Sequence, residues 1–472
     1  GYCILYPCIF SEILYVPNSM QFIADLHLHS KYSRATSKDL DLENINKWAR
    51  IKGINILAAP DFTHPVWLKE MKSKLVKQEN GLYVLDKKFE KNVSHYRSAE
   101  VSQKRTPAPE FPSGDSDGAS GASSIYFLPA TEVSCIYSKG GKCRRLHLMI
   151  FLPDFEAVDK FNFELEKRGG KLKSDGRPIL GMDAKEILKI MMEISPDAMM
   201  VPAHAWTPWF AVFGSKSGFD CLEECFEELT PQIKAIETGL SSDPPMNWRL
   251  SQLDDITLIS NSDAHSPQNL GREANVFDIE KEKLSYKEII RIIREGDKKK
   301  FQFTIEFFPE EGMYHFDGHR SCGIRFSPVE SRKNKNICPV CKKPLTIGVM
   351  NRVESLADRE EDIDNKNFIP YKSLVPLREI IAEAENKGRA TKMVEAIYYD
   401  LIAKGKNEFN ILLNLSYEEL EKISSKNIVE AIKRVRERKL IIDPGYDGVY
   451  GTVKIFSEQE REKFKPRQAS FI

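Results

Sequence analysis

The segment FIADLHLHS, residues 22–30, decides the fold class of this chain. Its apolar first half predicts a buried strand, and Asp25, His27 and His29 alternate along the end of that strand. Residues two positions apart share one face of a strand, so these polar side chains are expected to point in one direction. Metal-ligating groups gathered at strand ends are typical of α/β barrels, whose strands converge on a single functional face.

Six further apolar runs repeat this pattern through the first 300 residues and alternate with amphipathic segments. The runs are INILAA (54–59), IYFLPA (125–130), LHLMIF (146–151), AMMVPAH (198–204), IKAIE (233–237) and ITLIS (256–260). Helices are predicted between them, including 41–52, 183–194 and 246–254. This alternation predicts βα units on a parallel sheet or barrel.

Composition and charge limit the class of protein. The 472 residues suffice for several domains, at roughly 100–200 residues each. Basic and acidic residues both number 69, so the net charge is zero and any surface for nucleic acid must be local. Nine cysteines are too few and too unevenly spaced for a disulfide scaffold, which predicts a reducing, cytoplasmic location. No stretch reaches the roughly 20 apolar residues of a membrane span, so no membrane partner is expected.

The positions of the histidines predict a metal site. Six of the nine lie at or just beyond a predicted strand end, and three carboxylates hold matching positions. These residues are His27, His29, His64, His147, His204 and His265, with Asp61, Glu132 and Asp263. Imidazole and carboxylate ligands suit zinc, manganese or iron, with magnesium a further candidate, and the set exceeds the coordination of one ion. Two or three divalent metals are therefore predicted.

Six motifs that contain these residues occur in a characteristic order. They are DLHLHS (25–30), PDFTHP (60–65), ATEVS (130–134), LHLMIF (146–151), PAHAWTP (202–208) and SDAH (262–265). In this order they resemble the polymerase and histidinol phosphatase (PHP) domain family. The resemblance implies an α/β fold, a distorted (β/α)7 barrel, with a trinuclear metal site for phosphoester hydrolysis.

The resemblance also implies roles for single residues. Metal binding is implied for His27, His29, Glu132, His147, His204, Asp263 and His265, and catalysis for Asp263, His265 and Glu132. The second motif departs from the aspartate-histidine dipeptide of the family, so either Asp61 or His64 is expected to bind metal. Asp39 is a further candidate, although its position also suits a helix N-terminus.

A second cluster of ligand residues follows the predicted barrel. His319, Cys322, Cys338 and Cys341 have the spacing H-x2-C-x15-C-x2-C, which predicts one closed structural zinc site. A redox C-x-x-C motif is the alternative, and His315 could replace His319. Basic residues surround the cluster and predict contacts with a DNA backbone, with a solvated surface as the alternative. They are Arg320, Arg325, Arg332, Lys333, Lys335, Lys342 and Lys343, and Lys216 in the barrel joins them as a backbone candidate.

The second half of the chain carries a narrower resemblance. HFDGHRSCGIRFSP (315–328), ICPVCKKPLTIGV (337–349), NRVESLADR (351–359) and PGYDGVYG (444–451) resemble the endonuclease Q family of DNA repair nucleases. The resemblance implies cleavage of damaged double- or single-stranded DNA on the 5′ side of hypoxanthine, uracil, xanthine or an abasic site. The alternatives are a small-molecule phosphatase of the PHP family and a nucleic-acid-binding protein without catalysis.

Inspection of a damaged base requires a pocket beside the metals, because a stacked base must be flipped out to be recognised. The segment 205–220 after His204 is the candidate, with packing as the alternative role for its aromatic rings. The predicted pocket residues are Trp206, Trp209, Phe210, Phe213 and Ser215.

Domain boundaries are predicted from changes in composition. Residues 1–19 are expected to precede the fold, 20–305 to form the barrel with a flexible insertion at 106–124, and 306–360 to form the zinc module. Residues 361–456 are predicted to be a helical C-terminal region and 457–472 a tail. In that tail Gln468 and Phe471 resemble part of a peptide that binds the sliding clamp, with an unstructured end as the alternative.

Overall fold

The computed structural model describes residues 19–91, 124–361, 363 and 365–463. The strands are β1 (Ser19–Asp25), β2 (Ile56–Ala59), β3 (Leu75–Lys77), β4 (Tyr83–Leu85), β5 (Tyr126–Lys139), β6 (Lys142–Phe151), β7 (Ile179–Leu180), β8 (Met199–Pro202), β9 (Ala235–Glu237), β10 (Thr257–Ile259), β11 (Ala274–Glu280), β12 (Phe301–Glu306), β13 (Asp317–His319), β14 (Ile324–Phe326), β15 (Tyr371–Ser373), β16 (Ile441–Asp443) and β17 (Thr452–Lys454).

The helices lie between and after these strands. They are α1 (Leu42–Lys52), α2 (Pro65–Lys74), α3 (Phe155–Lys167), α4 (Ala184–Ile194), α5 (Leu222–Phe226), α6 (Pro244–Trp248), α7 (Tyr286–Glu295), α8 (Pro328–Lys333), α9 (Val349–Leu356), α10 (Leu377–Ala384), α11 (Lys392–Gly405), α12 (Tyr417–Ile423), α13 (Lys426–Arg436) and α14 (Glu458–Lys463). A π-helical turn spans Asn410–Asn414.

Seven strands form a distorted barrel in the order β1, β2, β5, β6, β8, β9, β10. β1, β2 and β5 pair in parallel, whereas β6 runs antiparallel to both β5 and β8. The Ala205 N–H donates to the Glu237 carbonyl oxygen (2.9 Å) and links β8 to β9, which pairs in parallel with β10. A parallel bridge between Leu28 and Ala264 closes the ring. These are the seven strands predicted from the apolar runs, so the predicted barrel is confirmed. The βα alternation predicted for all of them fails at β6, because a tight turn at Gly140 and Gly141 joins it directly to β5 as an antiparallel hairpin.

The barrel continues into a wider sheet. β1 also pairs with β11 in antiparallel register, and the sheet extends through β12 to the three-residue strand β15. All four residues of β2 are buried, as expected for a parallel strand covered on both faces. The core therefore fills the barrel and the layer between its strands and the outer helices.

Local sequence explains where the helices begin and end. Asp41 caps α1 by accepting a hydrogen bond from the Asn44 N–H (2.7 Å), and Gly53 ends it in the left-handed conformation, with φ of 88°. The helix predicted over 246–254 is shorter than expected. Asp243 caps α6, and the helix stops at Trp248 because buried Leu250 turns into the core in an extended conformation.

The zinc-type cluster and the C-terminal helices pack against the barrel. β13 and β14 form an antiparallel hairpin. The loop after β16 packs on residues 310–313, the segment that leads into this hairpin. The N–H groups of Gly445, Gly448 and Gly451 donate to the carbonyl oxygens of Glu310, Met313 and Glu311 (2.8–3.1 Å). On the other side, Lys52 at the end of α1 lies 2.7 Å from Glu408 and joins the barrel to the helical region.

Several predicted segments lie outside the described residues. These are residues 1–18, most of the predicted insertion at 106–124, and the end of the tail with Gln468 and Phe471. In the part of the chain that is described, no helix has both the length and the apolar character required to cross a bilayer.

Candidate metal centre

The strand ends bring seven predicted ligands together on one face of the barrel. His27 and His29 follow β1, and Glu132 and His147 project from β5 and β6. His204 follows β8, while Asp263 and His265 follow β10. His29 Nε2 lies 3.3 Å from Glu132 Oε2 and 3.0 Å from Asp263 Oδ1. The order of these residues around the ring follows the order of the strands.

The seven side chains form three overlapping groups whose ligand atoms lie within 4.8 Å of one another. The groups are His27, His29 and Glu132; His29, Asp263 and His265; and Glu132, His147 and His204. Glu132 and His29 each belong to two groups. This sharing is the arrangement expected of neighbouring ions bridged by common ligands, and each group mixes imidazole nitrogen with carboxylate oxygen.

Hydrogen bonds fix the orientation of the imidazole rings. His27 Nδ1 lies 3.0 Å from both carboxylate oxygens of Glu237, and His29 Nδ1 lies 3.1 Å from Asp61 Oδ1. Each bond leaves Nε2 facing the centre of the cluster. Partners of this kind select the tautomer of a metal-binding histidine and raise its basicity.

Buried atoms without hydrogen-bond partners show that the cluster fits a cation. His27 Nε2, His29 Nε2 and Asp263 Oδ1 are buried and face one another at 3.0–3.6 Å, but none of them forms a hydrogen bond with a described residue. Ion pairing thus offsets only part of their desolvation cost. A cation at the centre would be bound by all three.

Electrostatics also favour positive charge at the centre. Burial alone would lower the pKa of His27, but Glu237 and Glu132 raise it well above its ordinary value. Burial alone would raise the pKa of Asp263, but His27 and His29 hold it far below its usual range. In contrast, burial lowers the pKa of His147 to about 4 and keeps its ring neutral, the form that binds metal.

Three residues of the site adopt backbone conformations that are costly for their side chains. The φ angles of Asp61, His204 and Asp263 are 53°, 28° and 45°. Residues other than glycine rarely occupy this region, at a cost of about 1–3 kcal/mol each. The fold therefore stores strain where these three side chains enter the site.

The structure separates the two alternatives of the second motif. Asp61 is fully buried, and it accepts hydrogen bonds from the Ser30 N–H (2.6 Å) and Ser33 Oγ (2.7 Å) while it orients His29. His64 caps α2 by accepting from the Trp67 N–H (3.4 Å). Neither residue belongs to a ligand group, and Asp39 is exposed outside the cluster. Asp61 is thus placed to support a ligand and His64 to begin a helix.

Two residues at the site escaped sequence analysis. Glu237 ends the predicted strand 233–237, so the rule used for the histidines could have found it. Arg177 lies in a loop without periodicity, and its Nη1 is 3.0 Å from Glu132 Oε2. Burial alone would lower the pKa of Arg177, but Glu132 and Asp263 raise it, so the guanidinium is charged.

Two of the predicted pocket residues belong to the core, which corrects their expected role. Trp206 and Phe213 are fully buried, with ring centroids 4.9 Å apart. Trp206 Nε1 also donates to Asn247 Oδ1 (2.7 Å). Because both rings are enclosed by the barrel, neither is available to stack on a base.

The other aromatic residues of this segment lie nearer the surface. The Trp209 side chain is 42% exposed and its ring centroid is 6.1 Å from that of Tyr314, at the entrance to the hairpin. Phe210 is half-buried and packs on His147, with centroids 4.6 Å apart. Ser215 is half-buried and Lys216 exposed. An aromatic surface therefore borders the metal cluster.

The predicted zinc ligands also come together. His319, Cys322, Cys338 and Cys341 form one group within 4.8 Å, and His319 Nδ1 lies 3.5 Å from Cys341 Sγ. His315, the alternative ligand, is buried outside this group. Three sulfur atoms and one imidazole suit a closed tetrahedral site.

The basic residues around this group differ in their availability. Arg325 pairs with Asp443 and Arg332 with Glu354 (2.8 Å), so part of their charge is already neutralised. The side chains of Arg320, Lys333 and Lys335 are exposed and form no ion pair with a described residue. Lys342 and Lys343 are likewise exposed and without an ion pair in the described part of the chain, so these five residues are the freest cations of the patch.

Comparison with solved structures identifies the architecture. The lesion-specific endonuclease PfuEndoQ of Pyrococcus furiosus matches with a TM-score of 0.76 and 27% identity, over 93% of this chain and 96% of that one. The chain matches endonuclease Q over nearly its whole length. A second endonuclease Q structure, a complex with a 27-mer duplex that has an abasic lesion at the active site, matches with a TM-score of 0.74 and 27% identity, over 96% of this chain and all of that one.

Curated relatives give partial matches. The uncharacterized protein MJ0043 of Methanocaldococcus jannaschii is 32% identical over 285 residues, which are 58% of this chain and 35% of that protein. The match thus spans about a third of MJ0043. The uncharacterized protein YqxK of Bacillus subtilis is 25% identical over 66% of this chain and 74% of its own length. The family model of the MJ0043 C-terminal domain matches residues 376–439, which contain α10 to α13.

Proposed function

We propose that this chain is a metal-dependent endodeoxyribonuclease of DNA repair. It hydrolyses the phosphodiester on the 5′ side of a deaminated base (hypoxanthine, uracil or xanthine) or of an abasic site. The observation that carries the proposal is the seven-residue ligand cluster in a chain that matches endonuclease Q over nearly its whole length. Because its substrate is damaged DNA, the enzyme would act on the chromosome.

The ligand set supports two or three divalent ions in the barrel, zinc, manganese or magnesium. His27, His29, Glu132, His147, His204, Asp263 and His265 would hold them. When bound, the ions supply Lewis-acid activation of water and of the phosphodiester. Asp61 and Glu237 orient two of the ligands from behind. The pairing of the fourteen-residue strand β5 with β6 fixes the positions of Glu132 and His147 relative to each other.

The products follow from which phosphorus–oxygen bond breaks. Water oxygen bonds to phosphorus, the bond from phosphorus to the 3′ oxygen breaks, and that oxygen leaves with a proton. The strand then ends in a 3′-hydroxyl on one side and a 5′-phosphate on the other. Asp263 and His265 are the ligands on the open side of the cluster, 25% and 32% exposed, and are therefore the ones that meet water and substrate first.

Recognition of the lesion is assigned to the surface beside His204. Trp209 would stack on an extruded base, and Phe210 would support it from the side of His147. Stacking on an aromatic ring contributes about 1–3 kcal/mol per base. Lys216, Arg320, Lys333 and Lys335, which are all exposed, would contact phosphates. The exposure of Trp209, next in sequence to the Phe210 ring that packs on His147, supports this assignment.

The four-ligand group at residues 319–341 is proposed to hold one structural zinc ion. Residues 20–305, 306–360 and 361–456 are proposed to form three domains, which are the barrel, the zinc module and the helical region. The sliding clamp remains a proposed partner of the tail, whose end lies outside the described residues.

A plasmid-length duplex with one deoxyinosine tests the proposal against the phosphatase alternative. The metal-loaded protein should nick the lesion strand once on its 5′ side, and the matched duplex without the lesion should stay intact. The Asp39→Asn variant is the control, because Asp39 is exposed outside the cluster. Release of phosphate from histidinol phosphate without any nicking would show a small-molecule phosphatase instead.

A further inference from the structure

Arg177 lies at the open edge of the metal centre but belongs to none of the ligand groups. Its side chain is 22% exposed and reaches Glu132, which is 1% exposed. Asp263 and His265 form the rest of this edge, while His27 and His29 are fully buried. The guanidinium therefore stands between the ligand cluster and the solvent from which a substrate arrives.

The charge of Arg177 is out of place among metal ligands. Among the described residues, Arg177 is the only lysine or arginine in an ion pair with a member of the cluster. An arginine side chain remains protonated, so it cannot give up its charge when cations bind beside it. One carboxylate compensates only part of the charge of the cations and the guanidinium around it, so a further anion between them would be bound favourably. The arrangement thus calls for an anionic ligand at the open edge.

The backbone around Arg177 is fixed by its neighbours. The Gly176 N–H donates to the Tyr32 carbonyl oxygen (3.0 Å), and the Arg177 N–H donates to Asp175 Oδ1 (3.0 Å). A β-carbon at position 176 would lie 2.3 Å from Ser33 Oγ and 2.5 Å from Asp61 Oδ2. Glycine is required here because the loop presses against the residues that orient His29. The backbone that carries Arg177 is therefore held against Ser33 and Asp61, the residues behind His29.

We propose that Arg177 binds a non-bridging oxygen of the scissile phosphate and is a catalytic residue of the reaction. This inference rests on the proposed nuclease function. The planar guanidinium can donate two parallel hydrogen bonds to a phosphate, and such donors stabilise the negative charge that develops on phosphate oxygens in the transition state. Glu132 holds the guanidinium at the edge until the anion replaces it as partner.

Three variants test the assignment. Arg177→Ala removes the guanidinium group, and Arg177→Lys keeps a positive charge but cannot donate two parallel hydrogen bonds. Arg291→Ala is the control, because Arg291 pairs with Glu288 on α7 away from the site. We expect Arg177→Ala to retain its divalent metals by elemental analysis. Inorganic phosphate, titrated by calorimetry into the metal-loaded protein, should bind at least about 10-fold more weakly, because an anion then lacks its charged donor.

Cleavage gives a second readout. On a duplex with one abasic site, kcat/KM of Arg177→Ala should fall about 10²–10³-fold, as for the loss of other transition-state donors. Arg177→Lys should be intermediate, and free guanidinium ion should partly restore Arg177→Ala but leave Arg291→Ala unchanged. Arg177→Lys also serves if the alanine variant does not fold.

Three results would overturn the inference. The first is a phosphate affinity of Arg177→Ala equal to that of wild type, and the second is cleavage by this variant within about threefold of wild type. The third is loss of metal from Arg177→Ala, with phosphate affinity restored once metal is added back. That third result would mean that Arg177 only positions Glu132. If the wild type cuts no lesion-containing DNA, the nuclease proposal fails. The phosphate titration of wild type against Arg177→Ala would still decide whether Arg177 binds phosphate.

Discussion

At the scale of single residues, Asp263 allows charge and backbone to be separated. Its φ of 45° lies in the left-handed region, which asparagine also tolerates. Asp263→Asn therefore keeps shape and backbone but removes the charge that faces His27 and His29. We expect single-turnover cleavage at saturating metal to fall by at least about 100-fold, with a melting temperature and DNA affinity close to wild type. Near wild-type turnover would contradict the role of Asp263.

Glu237 gives a prediction about metal affinity. Both its carboxylate oxygens face His27 Nδ1, and one also accepts from the His204 N–H (2.8 Å). Glu237→Gln should weaken metal binding about 10–100-fold because His27 is no longer held as a basic ligand. A competition titration against a chelator measures this, with Glu280→Gln as control because Glu280 is half-buried and pairs with Lys283. Equal affinities for both variants would show that Glu237 has only a packing role.

The residues of the candidate site differ in how far sequence could predict them. His27, His29 and Asp263 follow buried strands, so periodicity alone predicted that they would lie at the site. Whether Asp61 contacts a metal or only a histidine depends on the path of one loop, which no local pattern encodes. Trp206 and Phe213 were misplaced for a similar reason, because aromatic residues in a βα loop suit both a core and a binding surface.

At the scale of elements, the four-ligand group joins the hairpin of β13 and β14 to the loop that carries Cys338 and Cys341. β13 and β14 are three residues each and cannot be stable alone. Cys338→Ser with Cys341→Ser should release one equivalent of zinc and unfold residues around 315–350, since binding energy at a structural site is folding energy. Elemental analysis and limited proteolysis measure both effects. Unchanged zinc content would refute the site, and Cys143→Ser, an exposed cysteine outside the group, is the control.

Element prediction succeeded where the signal was local. The seven barrel strands and helices α1 and α4 have clear periodicity and capping residues. β15 was missed because a strand of three residues is defined by its pairing with β12, which lies far away in the chain. The end of α6 was misjudged because tertiary burial of Leu250 overrides helix propensity.

At the scale of the whole molecule, one buried ion pair joins the barrel to the C-terminal helices. Lys52 and Glu408 are 7% and 5% exposed, and Glu408 also accepts from Tyr398 Oη (2.6 Å) and the Leu377 N–H (3.0 Å). Lys52→Met would leave the buried carboxylate without its cation, at a cost of about 3–5 kcal/mol. Urea denaturation should show this loss. A much smaller loss in Lys52→Met/Glu408→Gln, in which the buried charge is also removed, is the matched comparison.

The same pair predicts a pH dependence. Burial alone would raise the pKa of Glu408, but Lys52 and Tyr398 lower it below its ordinary value. A depressed carboxylate pKa contributes stability that is fully present above the unfolded value of about 4.3 and is lost as pH falls through the folded value. Glu408→Gln should therefore flatten the stability profile below about pH 4.3, measured by urea denaturation. An unaltered profile would show that the pair does not hold the two parts together.

The contacts of residues 445–451 with 310–313 join two segments that are synthesised at different times. A ribosome adds about 5–20 residues per second, so the entrance to the hairpin emerges many seconds before the glycines that cover it. The barrel can therefore fold before residues 445–451 are available to cover residues 310–313. A chain truncated before residue 444 would therefore contain every predicted barrel ligand but lack the segment that covers residues 310–313 beside Tyr314.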